Sequence, residues 1–357
     1  MIPIYEPFKA KNQKKYVLDC INSNWISSKG SYIDKFEKAL QDYLGVKHVI
    51  TVFNGSVSLM LILKALDIGH GDEVITPSLT YAATVSSINN VGATAVLVDS
   101  DNDFQMIQQF ENSLSATTRA IMIPQLYGGS PNIVSFKERC KKNSIHLIED
   151  SAEVFGSTFL DKKLGSFGIA SSFSFFGNKT ITTGEGGCVC TDDDHLAERM
   201  RLLKNQSHIG GFVHNGPGYN FRMTNIQAAI GLAQLEEIDG IIAKKKKIAA
   251  YYRKHLTRNV TRVMPDVRVN SAEWMPLFML PPDMTYLSFY EEMRKMGIDT
   301  RPAFKPVHLM SGFNTVCRDT LANAERIYGR GFNLPSYPGL KKKQLKYICD
   351  TVNKIVK

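Results

Sequence analysis

The chain has 357 residues, 43% hydrophobic and 22% charged, with 26 Gly and 14 Pro. That balance excludes a disulfide-stapled miniature module, a disordered chain and a collagen-like repeat, and at about 150 residues per domain it predicts two domains. Lys and Arg outnumber Asp and Glu by 43 to 34, a net charge of +9, which suits anionic ligands or nucleic acid without choosing between them.

At the N-terminus, MIPIYEPFKAKNQKKY lacks the apolar core of a signal peptide. No later run approaches the roughly 18 apolar residues that span a bilayer. Cys20, Cys140, Cys188, Cys190, Cys317 and Cys349 are scattered, without C-x2-C pairing, so reduced thiols and no metal site are expected. The expectation is a soluble, cytoplasmic protein with no membrane partner.

From about residue 40 to 200, KHVITVFN, DEVITPS, ATAVLVD, RAIMIPQLYG, IHLIED and SSFSFF read as short buried strands bounded by Gly, Pro, Asn or Asp. The intervening SVSLMLILKALDIG and SPNIVSFKERCKKNS carry apolar residues at helical spacing. This alternation predicts an α/β fold: a large domain with a mostly parallel central sheet flanked by helices, its binding groups at the carboxyl ends of the strands. After the CVCT strand, TNIQAAIGLAQLEEIDGIIAKKKKIAAYYRKHL reads as one long helical stretch connecting domains. Short mixed elements with paired prolines follow, predicting a smaller C-terminal α+β domain. The boundaries are 1–240 and 241–357.

The runs Lys244–Lys247 and Lys341–Lys343 read as solvated helix faces, since no aromatic residues interleave with them. Nucleic-acid binding is accordingly a minor alternative.

The chemistry concentrates in FSFFGNKTITTGEGG, residues 173–187. A lysine just after a buried strand, beside a loop of Thr and Gly that lets backbone approach a ligand, loses hydration, and this favours the neutral amine of Schiff-base chemistry. Lys179 is the candidate nucleophile. About one α/β unit upstream, IHLIEDSAE ends a strand on Asp150. A carboxylate beside such a lysine matches a pyridoxal phosphate site, where the acid keeps the pyridine nitrogen protonated. Asp150 also fits as the N-cap of a following helix. In FNGSVSLMLILKAL, Gly55 and Ser56 stand between a strand and an apolar helix, offering free N–H groups to a phosphate. GHGDEV follows a helix and precedes a strand, the wrong order for a dinucleotide fingerprint.

The ordered set NGSVSL, PSLTYAAT, PQLYG, IEDSAE, SFSFFGNKTITTGEGG and GYNFRMTNIQAAIGLAQLE, with a looser echo in TRPAFKPVHL, resembles the DegT-type sugar-nucleotide aminotransferases. These are fold-type I pyridoxal phosphate enzymes. The resemblance implies that Lys179 carries pyridoxal 5′-phosphate and that Asp150 contacts its ring nitrogen. It implies that Tyr81 stacks on the ring, that Gly55, Ser56 and Ser174 hold the phosphate, and that Asn220 reaches the phosphate of the neighbouring subunit in a homodimer with shared sites. Arg222, Arg301 and His308 match positions on the substrate side; each also reads as an ordinary surface or helix-end residue. Asn54 stands where relatives most often have Ser, and its amide still donates. Glu153 stands where many relatives have Gln, and resembles the subset making 4-amino-4,6-dideoxy sugars, the perosamine and viosamine synthases. The implied reaction moves an amino group from L-glutamate to a nucleotide-linked 4-keto-6-deoxyhexose. The alternatives are a sugar dehydratase, whose relatives replace the lysine with histidine, and a non-catalytic regulatory protein that binds the same cofactor.

Overall fold

The computed structural model describes residues 1–357. Its strands, in chain order, are β1 (His48–Val52), β2 (Glu73–Pro77), β3 (Thr94–Val98), β4 (Thr118–Pro124) and β5 (His146–Asp150), then the short β6 (Thr158–Phe159) and β7 (Lys162–Lys163), then β8 (Ala170–Ser174) and β9 (Gly187–Thr191). Two small hairpin strands follow, β10 (His208–Gly210) and β11 (Val213–His214). The remainder are β12 (Thr261–Arg262), β13 (Val269–Asn270), β14 (Leu277–Met279), β15 (Arg301–Pro302), β16 (Thr315–Cys317) and β17 (Gly331–Asn333).

Eight strands form the main sheet in the order β1-β9-β8-β5-β4-β2-β3-β16. Every neighbour pair is parallel except the two made by β9, which alone runs against the rest. The central strands are apolar on both faces, as in HVITV and TAVLV, because helices cover both sides. The helix Gly55–Ala65 is apolar nearly all round and is buried against β1, β8, β9 and the helices Ala82–Asn90 and Asp194–Lys204. All the strands expected from the sequence are present. The carboxyl ends of β2, β4, β5 and β8 open toward one edge, where the connecting loops converge.

A second sheet, β12-β14-β17-β15, is antiparallel. Its core joins Tyr252, Phe278, Phe289 and Phe332 with the helix Lys342–Ile355. We propose that it belongs to the smaller domain, with the division at 240/241 lying just inside the helix Ile238–His255. The chain is stitched across that division: Ile2 bridges Ile298, and β16 returns to pair with β3 at the edge of the main sheet.

Two expectations are corrected. The long stretch from Thr224 to Leu256 is two helices, Asn225–Leu235 and Ile238–His255. They break at Glu236 and Glu237, whose carboxylates turn to Asn12, Tyr16 and the Lys11 amide of the N-terminal segment. The Lys244–Lys247 run is not uniformly solvated, because Lys245 is 1% exposed. It falls on the same helical face as the buried Ile241, Ile248, Ala249 and Tyr252, and its Nζ donates to the Ser336 carbonyl at 2.7 Å. Lys341, Lys342 and Lys343 are exposed as expected. No helix is long and apolar enough to cross a membrane.

Candidate active site

The loops at the carboxyl ends of the strands enclose a cavity of about 380 Å³, within the size range of small-molecule sites. On one wall, Asn54 N-caps the helix Gly55–Ala65, its side chain accepting from the Val57 amide at 3.0 Å. The first helical amides, at Gly55 and Ser56, have no intrahelical acceptor and face the cavity with the positive end of the helix. Ser174, at the end of β8, lies against them: a Cβ added to Gly55 would stand 2.9 Å from Ser174 Cβ. Gly187 on β9 permits the same approach, since its Cβ would lie 2.7 Å from the Asn54 carbonyl carbon. Gly55, Ser56 and Ser174 thus line one wall of the cavity with a geometry suited to an anion.

Asp150 ends β5 and is buried, with Oδ2 accepting from the Thr84 hydroxyl at 2.8 Å. Burial raises its pKa, opposed by that hydrogen bond and by the Lys179 charge. No helix follows directly, so the N-cap alternative falls away. Lys179 sits in the turn after β8. Its Nζ lies 3.5 Å from Glu153 Oε1 and 4.2 Å from the centre of the Trp274 ring. The other Glu153 oxygen accepts from the Tyr127 amide at 2.9 Å. Burial pushes Glu153 up to about 7, with Lys179 as the main opposing influence.

Tyr81 caps the mouth, 60% exposed, with its ring 5.7 Å from Phe304. Phe304 stacks on Tyr127 at 5.3 Å, and Tyr127 on Trp274 at 6.4 Å. The sequence reading missed this aromatic wall, and missed Thr84. Thr84 had a local signal, one helical turn after Tyr81 in PSLTYAAT. Phe304 stands within the TRPAFKPVHL echo without having been singled out, and Trp274, just ahead of β14, had no signal.

Thus Gly55, Ser56, Tyr81, Asp150, Glu153, Ser174 and Lys179 line one cavity. The other four expected residues do not line it within the single chain. Asn220 is exposed and bridges Asn205 through backbone. Arg222 donates to Ser28 Oγ at 3.2 Å and to Asn205 Oδ1 at 2.6 Å. Arg301 is exposed, 3.6 Å from Asp299. His308 Nδ1 is 2.6 Å from Ser78 Oγ, and its Nε2 is 3.3 Å from Glu325.

The residues fit pyridoxal phosphate: free helix-start amides whose wall is packed too closely for side chains at Gly55 and Gly187, a lysine, and a buried carboxylate, with the Asn178 Oδ1 left buried and unpartnered at the cavity. A parallel sheet with one reversed strand, carrying this lysine and carboxylate at its strand ends, defines a fold-type I pyridoxal phosphate enzyme. Residues 7–353 match the DegT/DnrJ/EryC1/StrS aminotransferase family, and the chain belongs to it; pyridoxal 5′-phosphate is the family's cofactor. The chain is 43% identical over 356 residues to the GDP-perosamine synthase of Escherichia coli O157:H7, covering 99% of this chain and 98% of that one. Among solved structures, it resembles Helicobacter pylori PseC, an aminotransferase of pseudoaminic acid biosynthesis, with a TM-score of 0.92, 29% identity and 99% coverage of both chains. It also resembles the PLP-form of the putative sugar aminotransferase Spr1654 from Streptococcus pneumoniae, with a TM-score of 0.93, 25% identity and coverage of 99% and 98%.

Proposed function

We propose that the chain transfers an amino group from L-glutamate to C4 of a nucleotide-linked 4-keto-6-deoxyhexose, yielding the 4-amino-4,6-dideoxy sugar. Identity of 43% across the full length to a GDP-perosamine synthase favours the GDP-linked sugar. The observation that carries the reaction class is the meeting of Lys179, Glu153 and Asp150 in one cavity beside a free helix N-terminus.

Bound pyridoxal phosphate supplies an electron sink for the carbon that gains or loses a proton. Gly55, Ser56 and Ser174 hold its phosphate, completed by Asn220 of a second copy in a homodimer. Tyr81 covers the ring. Asp150 would keep the proton on the ring nitrogen of the bound cofactor, and a cation there would favour the ionised carboxylate. The Lys179 Nζ would hold the cofactor and, as a free amine, would in each half-reaction take a proton from one side of the substrate–cofactor pair and deliver it to the other. Glu153 Oε1, within reach of Nζ, accepts or returns that amine's proton. Tyr127, Phe304 and Trp274 keep bulk water from the reacting atoms. Arg222, Arg301 and His308 are assigned to the substrate side, where cationic groups suit a diphosphate. Six unpaired cysteines fit the reducing cytoplasm.

The test incubates the purified protein with glutamate and GDP-, dTDP- and UDP-linked 4-keto sugars, with mass detection of the product. Amination at C4 that disappears in Lys179→Ala is expected. Amination at C3, or activity retained without Lys179, overturns the reading.

A further inference from the structure

Lys179 lies outside the strand ladder, in a turn closed by its own amide donating to the Phe176 carbonyl at 2.9 Å. The two backbone carbonyls flanking its α-carbon therefore lack sheet partners, and part-buried carbonyls need donors. Both are served by aromatic side chains from remote segments. Trp274 Nε1 donates to the Asn178 carbonyl at 2.7 Å, and the Tyr5 hydroxyl donates to the Lys179 carbonyl at 2.7 Å. Trp274 also meets the side chain, its ring centre 4.2 Å from the Nζ that Glu153 Oε1 approaches to 3.5 Å. An indole face attracts an ammonium more strongly than any other aromatic side chain does. The ring is itself fixed: it is 3% exposed, stacked on Tyr127, and its carbonyl accepts from Ser336 Oγ at 3.2 Å.

We propose that Trp274 is a positioning residue for Lys179, holding the peptide that precedes it and giving the displaced amine a resting face, with Tyr5 as the second clamp on the same turn. The assignment rests on Lys179 being the reactive amine of the proposed function. It explains why a tryptophan from the segment before β14 is buried against a loop of the main sheet.

The chain holds two tryptophans, so a Trp25→Phe background leaves Trp274 as the only indole emitter. In the full-length, cofactor-free protein of that background, Lys179→Met shifts the Trp274 emission maximum. In the holoenzyme, Trp274→Phe keeps a ring but loses the N–H, and Tyr5→Phe loses only the hydroxyl. Each lowers kcat with glutamate by about tenfold, the cost of a displaced reacting group, with KM held within about twofold. An emission maximum unmoved by Lys179→Met, or a wild-type kcat in Trp274→Phe, overturns the assignment. The emission measurement needs no turnover, so it decides the matter even where glutamate proves to be the wrong donor.

Discussion

Glu153 Oε1 lies 3.5 Å from Lys179 Nζ, and Glu153 is only 5% exposed. Folding raises this carboxyl from its ordinary 4.5 to about 7, through burial. Between those values the folded chain holds a proton that the unfolded chain has released. The stability contribution is therefore full below pH 4.5 and is lost as the pH rises through 7. Glu153→Gln is expected to flatten the fall in cofactor-free stability between about pH 5 and pH 8, by on the order of 2 kcal/mol in urea unfolding. Asp101, pushed up to about 6 by burial, leaves a residual slope of the same sign. An undiminished slope in the variant refutes the assignment to Glu153.

Lys245 has the opposite sign. Burial pushes it from 10.5 down to about 7, with Glu273 the only charge drawing it back. The folded chain binds fewer protons than the unfolded chain across that range, so the penalty is full below 7 and vanishes above 10.5. The stability change in Lys245→Met should be more favourable at about pH 6 than at about pH 10 by on the order of 2 kcal/mol, on top of a pH-independent cost for the Ser336 carbonyl left without its donor. Thermal unfolding at both pH values checks this, and a change of the same size at both would contradict it.

Gly187 has no room for a side chain. Its Cβ would lie 2.7 Å from the Asn54 carbonyl carbon and 2.8 Å from the Gly55 nitrogen, both backbone atoms. Gly187→Ala should destabilise by about 1–3 kcal/mol and displace the cavity wall at Gly55, weakening pyridoxal phosphate binding by about tenfold or more. Gly240, in the helix Ile238–His255, has nothing within 4 Å of its Cβ position. Gly240→Ala is the control, with unchanged cofactor binding and a gain of about 0.5–1 kcal/mol. Equilibrium dialysis of the cofactor separates the two.

Asp150→Asn removes the charge but keeps the shape, and the Thr84 hydroxyl at 2.8 Å retains an oxygen to donate to. The cofactor should stay bound while kcat falls about a hundredfold, the scale for losing one preorganised electrostatic partner. Steady-state kinetics beside the cofactor absorbance test this, and wild-type turnover would remove the electron-sink role.

The main sheet was legible because its strands are short apolar runs broken by Gly, Pro and Asp, a pattern set by local burial. Lys179, Asp150 and Gly55 were legible because strand ends and a strand-to-helix turn confine chemistry to few positions. Trp274 and Tyr5 were not, because their roles arise from contacts between segments far apart in the chain. The break at Glu236 and Glu237 was hidden for a related reason: both are good helix formers, and only the N-terminal segment docking on their carboxylates marks the kink. Lys245 shows the limit of charge runs as surface markers, since helical period overrides composition.

The pairing of β16 with β3 has a bearing on biosynthesis. Until residues 315–317 leave the ribosome, β3 presents a bare row of amides and carbonyls to solvent, and Ile2 waits for Ile298 in the same way. A nascent chain of this protein thus carries an adhesive border from the emergence of β3 until residues about 220 positions further on arrive to seal it.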